Sequence, residues 1–87
     1  MLRLRFDLGE LADRDAFYRQ FAAQSDCSGN FGNNLDALWD WLTGGMALPA
    51  EIYLLNADRH YADLAPVLAL LEEAAQSLSG ELRLIYA

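Results

Sequence analysis

The stretch FGNNLDALWDWLTG, Phe31 to Gly44, determines how this chain folds, because it predicts a short amphipathic helix. At about 100° per residue, apolar residues recur with the i, i+3, i+4, i+7 spacing of a helix that has one buried face. The apolar arc consists of Leu35, Leu38, Trp39 and Leu42. The polar flank beside Trp39 consists of Asp36, Asp40 and Thr43. The pattern therefore predicts a helix that packs against a core and carries two carboxylates along its edge.

Both ends of this helix have residues that terminate helices. Asn33 or Asn34 can cap the N-terminus, because a short side-chain oxygen accepts a hydrogen bond from an unpaired backbone N–H. Gly44 and Gly45 supply the C-terminal stop, since glycine readily leaves the helical conformation. We therefore expect a helix of about ten residues.

The two aspartates of this helix have two explanations. Carboxylates spaced i, i+4 repel each other by about 0.2–0.5 kcal/mol, and each aspartate costs the helix less than about 0.7 kcal/mol. A bound Arg, Lys or protonated His could offset this cost, since a hydrogen bond to a charged group is worth about 1.5–3 kcal/mol. The spacing of Asp36 and Asp40 thus permits a cation-binding site, although a solvated outer face is the default for charged helical residues.

The stretch resembles the second helix of the barstar family, whose members are intracellular inhibitors of secreted ribonucleases. The residues that carry the resemblance are Gly32, Asn34, Leu35, Asp36, Ala37, Leu38, Trp39, Asp40, Leu42, Thr43 and Gly44. It covers 14 of the 87 residues closely, and the others only through chain size, element order and an apolar ending. A run of this length is far more specific than a three-residue motif. For Asp36 and Asp40 it therefore makes a binding face, rather than a solvated face, the favoured interpretation.

The resemblance also implies a set of partner-binding residues, because the inhibitory surface of the barstar family is the second helix with the loop before it. That set is Gly32, Asn34, Leu35, Asp36, Trp39, Asp40, Thr43 and Gly44. Asp40 is expected to be the central anion, which occupies the phosphate site of the nuclease and accepts hydrogen bonds from arginine and histidine. Asp36 is expected to bind a neighbouring cation. Trp39 is either a core residue or an aromatic rim that excludes water from the carboxylates.

A glutamate of the last helix contributes in this family as well, and it corresponds here to Glu73 or to Glu72. Two positions depart from the family's best-known member: Asn30 stands where that member has tyrosine, and Gly45 where it has tryptophan. An aromatic anchor at an interface centre can be worth about 2 kcal/mol or more. The departures therefore imply a different nuclease partner, or weaker binding of the familiar type.

Acidic residues outnumber basic ones in this chain, with 13 Asp and Glu against six basic residues and a formal net charge of −7. Direct nucleic-acid binding is not expected, because it needs a basic surface that neutralises phosphates. The expected partner is a basic protein, such as a barnase-like ribonuclease whose active site already holds phosphates. Solubility of a small protein is an alternative explanation of the same charge.

Other function classes find little support in the sequence. Charge or proline interrupts the apolar runs well short of the roughly 20 residues that span a bilayer, and the N-terminus does not resemble a secretory signal. We therefore expect a cytoplasmic protein without a membrane partner. Cys27 and His60 cannot complete a zinc site, and no glycine-rich phosphate loop predicts a nucleotide cofactor. An enzyme that holds a divalent metal with Asp36 and Asp40 would lack further ligands, and a Cys27 nucleophile would lack an oxyanion motif.

The remaining sequence predicts a single domain, residues 1–87, in which strands and helices alternate. Strands are expected at Leu2–Phe6, Glu51–Asn56 and Leu82–Tyr86, and helical segments at Asp13–Gln24, Asp58–Ala62 (one turn) and Asp63–Gly80. The second strand carries a short apolar run, residues 52–55, which is typical of a strand buried on both faces. Because helices separate the strands, the strands should pair in parallel. The expected fold class is α/β: a barstar-like, small three-stranded parallel sheet with packed α-helices, as the resemblance also implies.

We therefore predict a noncatalytic, barstar-like immunity protein. Its acidic helix is expected to bind and block the active site of a basic secreted ribonuclease, without a cofactor or a metal. The alternative is a regulatory module that keeps the helix but binds a basic protein other than a nuclease. A specific partner without ribonuclease activity would favour the alternative.

Overall fold

The structure, a computed structural model, describes residues 1–25 and 34–87 and contains one three-stranded sheet in those parts of the chain. The strands are β1 (Leu2–Asp7), β2 (Ala50–Leu55) and β3 (Leu82–Tyr86). The helices are α1 (Arg14–Gln24), α2 (Leu35–Asp40) and α3 (Ala65–Ser77). A π turn (Trp41–Gly45) continues α2, and two 3₁₀ turns, Ala57–Arg59 and Ala62–Leu64, lie between β2 and α3.

The sheet has the order β1–β2–β3, and both strand pairs are parallel. Leu4 pairs with Ile52, and Ile52 pairs with Leu84 on the other side. The strands can be parallel because helices return the chain to the same end of the sheet after β1 and after β2. The predicted α/β class with a three-stranded parallel sheet is confirmed.

One face of the sheet forms the hydrophobic core with the helices. Leu4, Phe6, Ile52 and Leu54 are fully buried on this face, together with residues of all three helices. The ring of Phe6 lies 4.6 Å from that of Phe17 in α1, measured between centroids. Each large apolar side chain buried in this way contributes about 1.5–3 kcal/mol to folding. The core therefore fixes the rotation of each helix about its axis. This rotation determines which side chains remain outside.

Arginines cover the other face of the sheet over its central strand. The carboxylate of Glu51 lies 3.1 Å from Arg3 Nε and 3.5 Å from Arg83 Nη1, and the Tyr53 hydroxyl donates to it at 3.2 Å. The Glu51 side chain is only 11% exposed. The Arg3 hydrogen bond is the main reason that the pKa of Glu51 lies below its usual value. At this position β2 is buried on both faces, as its apolar run predicts, but arginines rather than helices cover the second face.

A side chain closes the outer edge of β1. The Arg5 N–H donates to Gln24 Oε1 at 2.7 Å, and Gln24 Nε2 donates to the Arg5 carbonyl oxygen at 2.8 Å. The amide of Gln24 thus bonds to the strand edge as the backbone of a further strand would.

The predicted bounds of β3 are confirmed, and those of β1, β2 and the start of α1 are wrong by one residue, since Asp13 is the N-cap of α1 and not its first residue. The bounds around α3 need larger corrections. The helix ends at Ser77 and not at Gly80, because Ser79 and Gly80 both adopt positive φ angles, +50° and +91°, which end a helix. It also begins at Ala65 rather than at Asp63, since residues 62–64 form a 3₁₀ turn. The single turn predicted for residues 58–62 is replaced by the two 3₁₀ turns.

Candidate functional site

Asn34 sets the start of α2. Its Oδ1 atom accepts a hydrogen bond from the Ala37 N–H at 2.7 Å, and its carbonyl oxygen accepts one from the Leu38 N–H at 3.0 Å. Of the two caps considered in the sequence, the structure therefore uses Asn34, while Asn33 lies outside the described residues. A side-chain cap of this kind contributes about 1 kcal/mol to helix stability.

The apolar arc of α2 determines which side chains face outward. Leu38 and Leu42 are fully buried in the core, as their spacing predicts. Asp36 and Asp40 consequently lie on the exposed side of the same segment. Asp40 forms no ion pair or side-chain hydrogen bond with the residues that the structure describes.

A groove of about 430 Å³ lies between α2 and α3 and has carboxylates from both helices in its wall. Its lining residues are Leu35, Asp36, Trp39, Pro66, Ala69, Leu70 and Glu73. Leu35 and Trp39 are half-buried, since each packs against the core and also lines the groove. Trp39 is therefore both a partial core residue and an aromatic wall beside Asp36. We name this surface the α2–α3 groove.

The two neighbouring glutamates of α3 have different surroundings in the structure. Glu72 accepts a hydrogen bond from the Tyr86 hydroxyl at 2.7 Å. Burial, together with this bond to Glu72, raises the pKa of Tyr86 to about 12. Glu73 instead lines the α2–α3 groove, because adjacent residues of a helix point about 100° apart. The carboxylate that faces the same groove as Asp36 is thus that of Glu73.

A second, more polar cleft of about 660 Å³ lies between the N-terminal ends of α1 and α2. Its carboxylates serve the helix ends: Asp13 Oδ1 accepts from the Ala16 N–H at 2.9 Å, and Asp63 accepts from the Arg14 N–H at 2.9 Å. Asp63 also pairs with Arg14 Nε at 3.2 Å. Tyr18 lines the cleft, and burial raises the pKa of its hydroxyl. Capping of the helix ends therefore explains this cluster of acidic residues without a ligand.

The π turn carries the last two residues of the predicted set. The Thr43 hydroxyl donates to the Trp39 carbonyl oxygen at 2.8 Å, so its side chain is turned back onto the helix. Gly44 is exposed, and a Cβ atom placed there would meet no atom within 4 Å. A partner can therefore approach the backbone at Gly44 closely.

The helical segment ends at Gly45, which agrees with the predicted stop at Gly44 and Gly45, but the form of its last turn was not predicted. The Met46 N–H donates to the Trp41 carbonyl oxygen at 2.7 Å, a span of five residues, so the last turn is wider than an α-helical turn and includes Gly45. Trp41 is half-buried, packs against the core and donates from Nε1 to Ser25 Oγ at 3.2 Å.

The predicted residues are only partly brought together. Around the two openings lie Asn34, Leu35, Asp36, Trp39 and Glu73. Asp40, Thr43 and Gly44 follow along the same helical segment. Gly32 lies outside the described residues, and so do Asn30 and Cys27.

Of the α3 wall of the groove, sequence reasoning named only Glu73. It missed Pro66, Ala69 and Leu70, which line the groove with Glu73. Their spacing is i, i+3, i+4, i+7, so the same pattern that identified α2 could have found them. The neighbouring stripe of α3 lies deeper, since Val67, Leu71 and Ala74 are fully buried.

The arrangement suits the binding of cationic side chains by carboxylates better than the binding of a metal ion. In residues 1–25 and 34–87, no three His, Cys, Asp or Glu side chains converge as metal ligands would. His60 is exposed, and its Nδ1 lies 2.6 Å from the Ala57 carbonyl oxygen. Among the described helices, none is both long and apolar enough to cross a membrane.

Comparison with known proteins identifies the family of this chain. A protein of Bacillus subtilis (strain 168) named "Putative ribonuclease inhibitor YrdF" is 41% identical over 61 residues. The match includes 63% of this chain and spans 65% of the length of that relative, which is less than two thirds. The family model described as "Barstar (barnase inhibitor)" matches residues 1–86. With the three-stranded parallel sheet and its packed helices, this match shows that the chain belongs to the barstar family.

Proposed function

We propose that this protein is a noncatalytic inhibitor that blocks the active site of a basic secreted ribonuclease. The main support for the proposal is that this chain belongs to the barstar family and that its α2 presents two carboxylates on the outside of the protein. Burial of Leu38 and Leu42 holds Asp36 and Asp40 on the outside, and Glu73 joins Asp36 in the α2–α3 groove. The family description and the name of the Bacillus subtilis relative, both of which refer to ribonuclease inhibition, support the same role.

Asp40 is proposed as the central anion of the inhibitory surface. Its carboxylate is exposed and has no partner among the described residues, so no contact within them competes with a ligand. The active site of a ribonuclease binds phosphate through cationic donors. A carboxylate in that site would accept charge-assisted hydrogen bonds of about 1.5–3 kcal/mol each.

The other residues of the predicted set would bind the partner together with this anion. Asp36 and Glu73 would bind a second cationic side chain, whose apolar part packs on Trp39. The exposed backbone at Gly44, with Thr43 beside it, would allow close approach of the partner. The proposed partner-binding set is therefore Gly32, Asn34, Leu35, Asp36, Trp39, Asp40, Thr43, Gly44 and Glu73.

The net charge of −7 supports a basic partner and predicts how binding depends on salt. Opposite charges accelerate association, and salt screens this attraction beyond about 10 Å at 0.1 M ionic strength. We expect added salt to lower the association rate constant much more than it changes the dissociation rate constant. Such an inhibitor would protect the cytoplasm of the cell that makes the ribonuclease.

The test is inhibition of a panel of small secreted, guanyl-preferring ribonucleases by the purified protein and by Asp40→Ala. We expect wild-type protein to inhibit at least one of them and the variant to lose most of this inhibition. Glu10→Ala is the matched control: it removes the same charge from an exposed residue in a different depression, beside Arg5 and Gln20. This control should inhibit as wild type does.

The outcomes separate the proposal from its alternative. Equal inhibition by wild type and Asp40→Ala would contradict the mechanism. No inhibition of any ribonuclease, combined with specific binding of a basic protein that is not a nuclease, would favour the regulatory module.

A further inference from the structure

Trp41 lies outside the proposed partner-binding set, yet its ring has unusually specific contacts. Its Nε1 donates to Ser25 Oγ at 3.2 Å, and the Ser25 residue is buried. The rest of the ring lies directly over the backbone of Gly45. A Cβ atom at position 45 would come within 2.6 Å of Trp41 Cζ3, and closer still to Cε3. Real Cβ atoms do not approach ring atoms so closely, so the ring position requires glycine at 45.

The backbone of Trp41 is the junction between α2 and the π turn. Its N–H donates to the carbonyl oxygens of Ala37 and Leu38, which belong to the α-helix. Its own carbonyl oxygen accepts from the Met46 N–H at 2.7 Å and closes the π turn. A change in the position of the Trp41 ring would therefore move the turn that follows.

Two proposed contact residues, Thr43 and Gly44, lie inside the turn that the Trp41–Met46 bond closes. Gly44 has no side chain, so its position depends on the backbone of the turn. If the turn had several conformations, the partner would bind only the fraction of molecules in which the turn is correctly placed. The apparent dissociation constant would then rise in inverse proportion to that fraction.

We propose that Trp41 is a positioning residue of the inhibitory surface. Its ring lies on Gly45 and is hydrogen-bonded to Ser25. These contacts fix the turn that carries Thr43 and Gly44, and the position of the turn sets the affinity for the ribonuclease. This inference rests on the proposed function. It assigns Trp41 and Gly45 a joint role in shaping the inhibitory surface, although neither residue needs to contact the partner.

The test is a double-mutant cycle between positions 41 and 45, read as inhibition constants under conditions in which every variant is fully folded. Gly45→Ala should raise the inhibition constant about tenfold or more, because the added methyl group displaces the ring. Trp41→Leu should also raise it. Adding Gly45→Ala to Trp41→Leu should change it by less than about threefold, since no indole ring remains for the methyl group to displace.

The contact with Ser25 has its own test. Ser25→Ala removes only the acceptor, whereas Trp41→Phe removes the donor together with part of the ring that lies on Gly45. A hydrogen bond between neutral groups is worth about 0.5–1.5 kcal/mol, so each variant should raise the inhibition constant about two- to tenfold. The two substitutions together should cost no more than the larger single effect.

Two further measurements distinguish positioning from general destabilisation. Ile52→Val is the control, because it weakens the core of the central strand far from the turn and should leave the inhibition constant unchanged. Amide hydrogen exchange of the free protein should become faster at Met46 in Trp41→Leu but stay unchanged at Leu71 in α3.

The result that would overturn this inference alone is inhibition by wild type with unchanged constants for Gly45→Ala and Trp41→Phe. Additive effects of Gly45→Ala and Trp41→Leu would overturn it too, because the two residues would then act independently. Absence of inhibition by wild type would overturn the proposed function and this inference together.

Discussion

Replacement of Asp40 by alanine should make the free protein more stable, although the same change should abolish inhibition. Asp40 is exposed at the end of α2 and has no partner in the described residues. Among the described residues its side chain therefore makes no contact that alanine would lose. Two unfavourable effects of the carboxylate should disappear with it.

The magnitude follows from the position of the residue. Repulsion between Asp36 and Asp40 at i, i+4 is about 0.2–0.5 kcal/mol, and aspartate is a poorer helix former than alanine by up to about 0.7 kcal/mol. Because the π turn continues α2 to Gly45, Asp40 lies inside the helical segment and the helix dipole adds little. The sum of the two effects is at most about 1 kcal/mol, so we expect a gain of up to about 1 kcal/mol in the free energy of unfolding.

Urea denaturation followed by tryptophan fluorescence or circular dichroism measures this gain. For a small domain, 1 kcal/mol corresponds to a shift of the urea midpoint by about 0.5–1 M and of the melting temperature by about 4–8 °C. In 1 M salt, where charges are screened within about 3 Å, only the part due to helix propensity should remain.

Asp36→Ala is the matched control for this prediction. Asp36 lies in the first turn of α2, where the helix dipole favours an anion, so its removal loses one favourable effect while relieving the same repulsion. Its stability change should therefore be close to zero. A loss of stability in Asp40→Ala would refute the reasoning, because it would mean that Asp40 forms a stabilising interaction in the free protein. Equal gains in the two variants would show that the dipole contributes nothing.

Two further predictions concern the core and the open face of the sheet. Leu38→Ala should lower the free energy of unfolding by about 2–5 kcal/mol, because Leu38 is fully buried and its truncation leaves a cavity; a loss below 1 kcal/mol in urea denaturation would contradict its central position. Glu51→Gln should be less stable than wild type at neutral pH, since the folded-state pKa of Glu51 lies below the usual 4.5 and its charge stabilises the fold above that value. This stability difference should shrink as the pH falls below about 4.5, and a difference that is constant between pH 7 and pH 3 would refute the role of the Arg3 contact.

The parts of the fold that could be predicted from the sequence are those that depend on local spacing. The apolar arc of α2 placed Leu38 and Leu42 in the core, and the cap at Asn34 depends only on a side chain three residues from its donor. The end of α3 was harder to predict. Gly80 is the obvious stop, but Ser79 also adopts a left-handed conformation. Since β3 must begin at Leu82 to pair with Ala50, the chain leaves the helix earlier than its composition suggests.

The parts of the candidate site that could not be predicted depend on contacts between distant residues. Glu72 and Glu73 differ in their surroundings because the Tyr86 hydroxyl bonds to Glu72 from β3, while Glu73 lines the α2–α3 groove. The ring of Trp41 lies on Gly45 and reaches Ser25, which is 16 residues away in the chain. No periodic pattern indicates such contacts, because they join residues of different elements.

The hydrogen bonds of Gln24 to β1 also limit how this protein can associate with copies of itself. Sheets extend into larger assemblies, including swapped dimers and fibrils, when a foreign strand pairs with a free edge. At Arg5 that edge is already bonded to the Gln24 amide, so an incoming strand would have to displace the end of α1 first. Assembly through β1 is therefore opposed by the folded state itself, and the end of α1 must open before this route to aggregation becomes available.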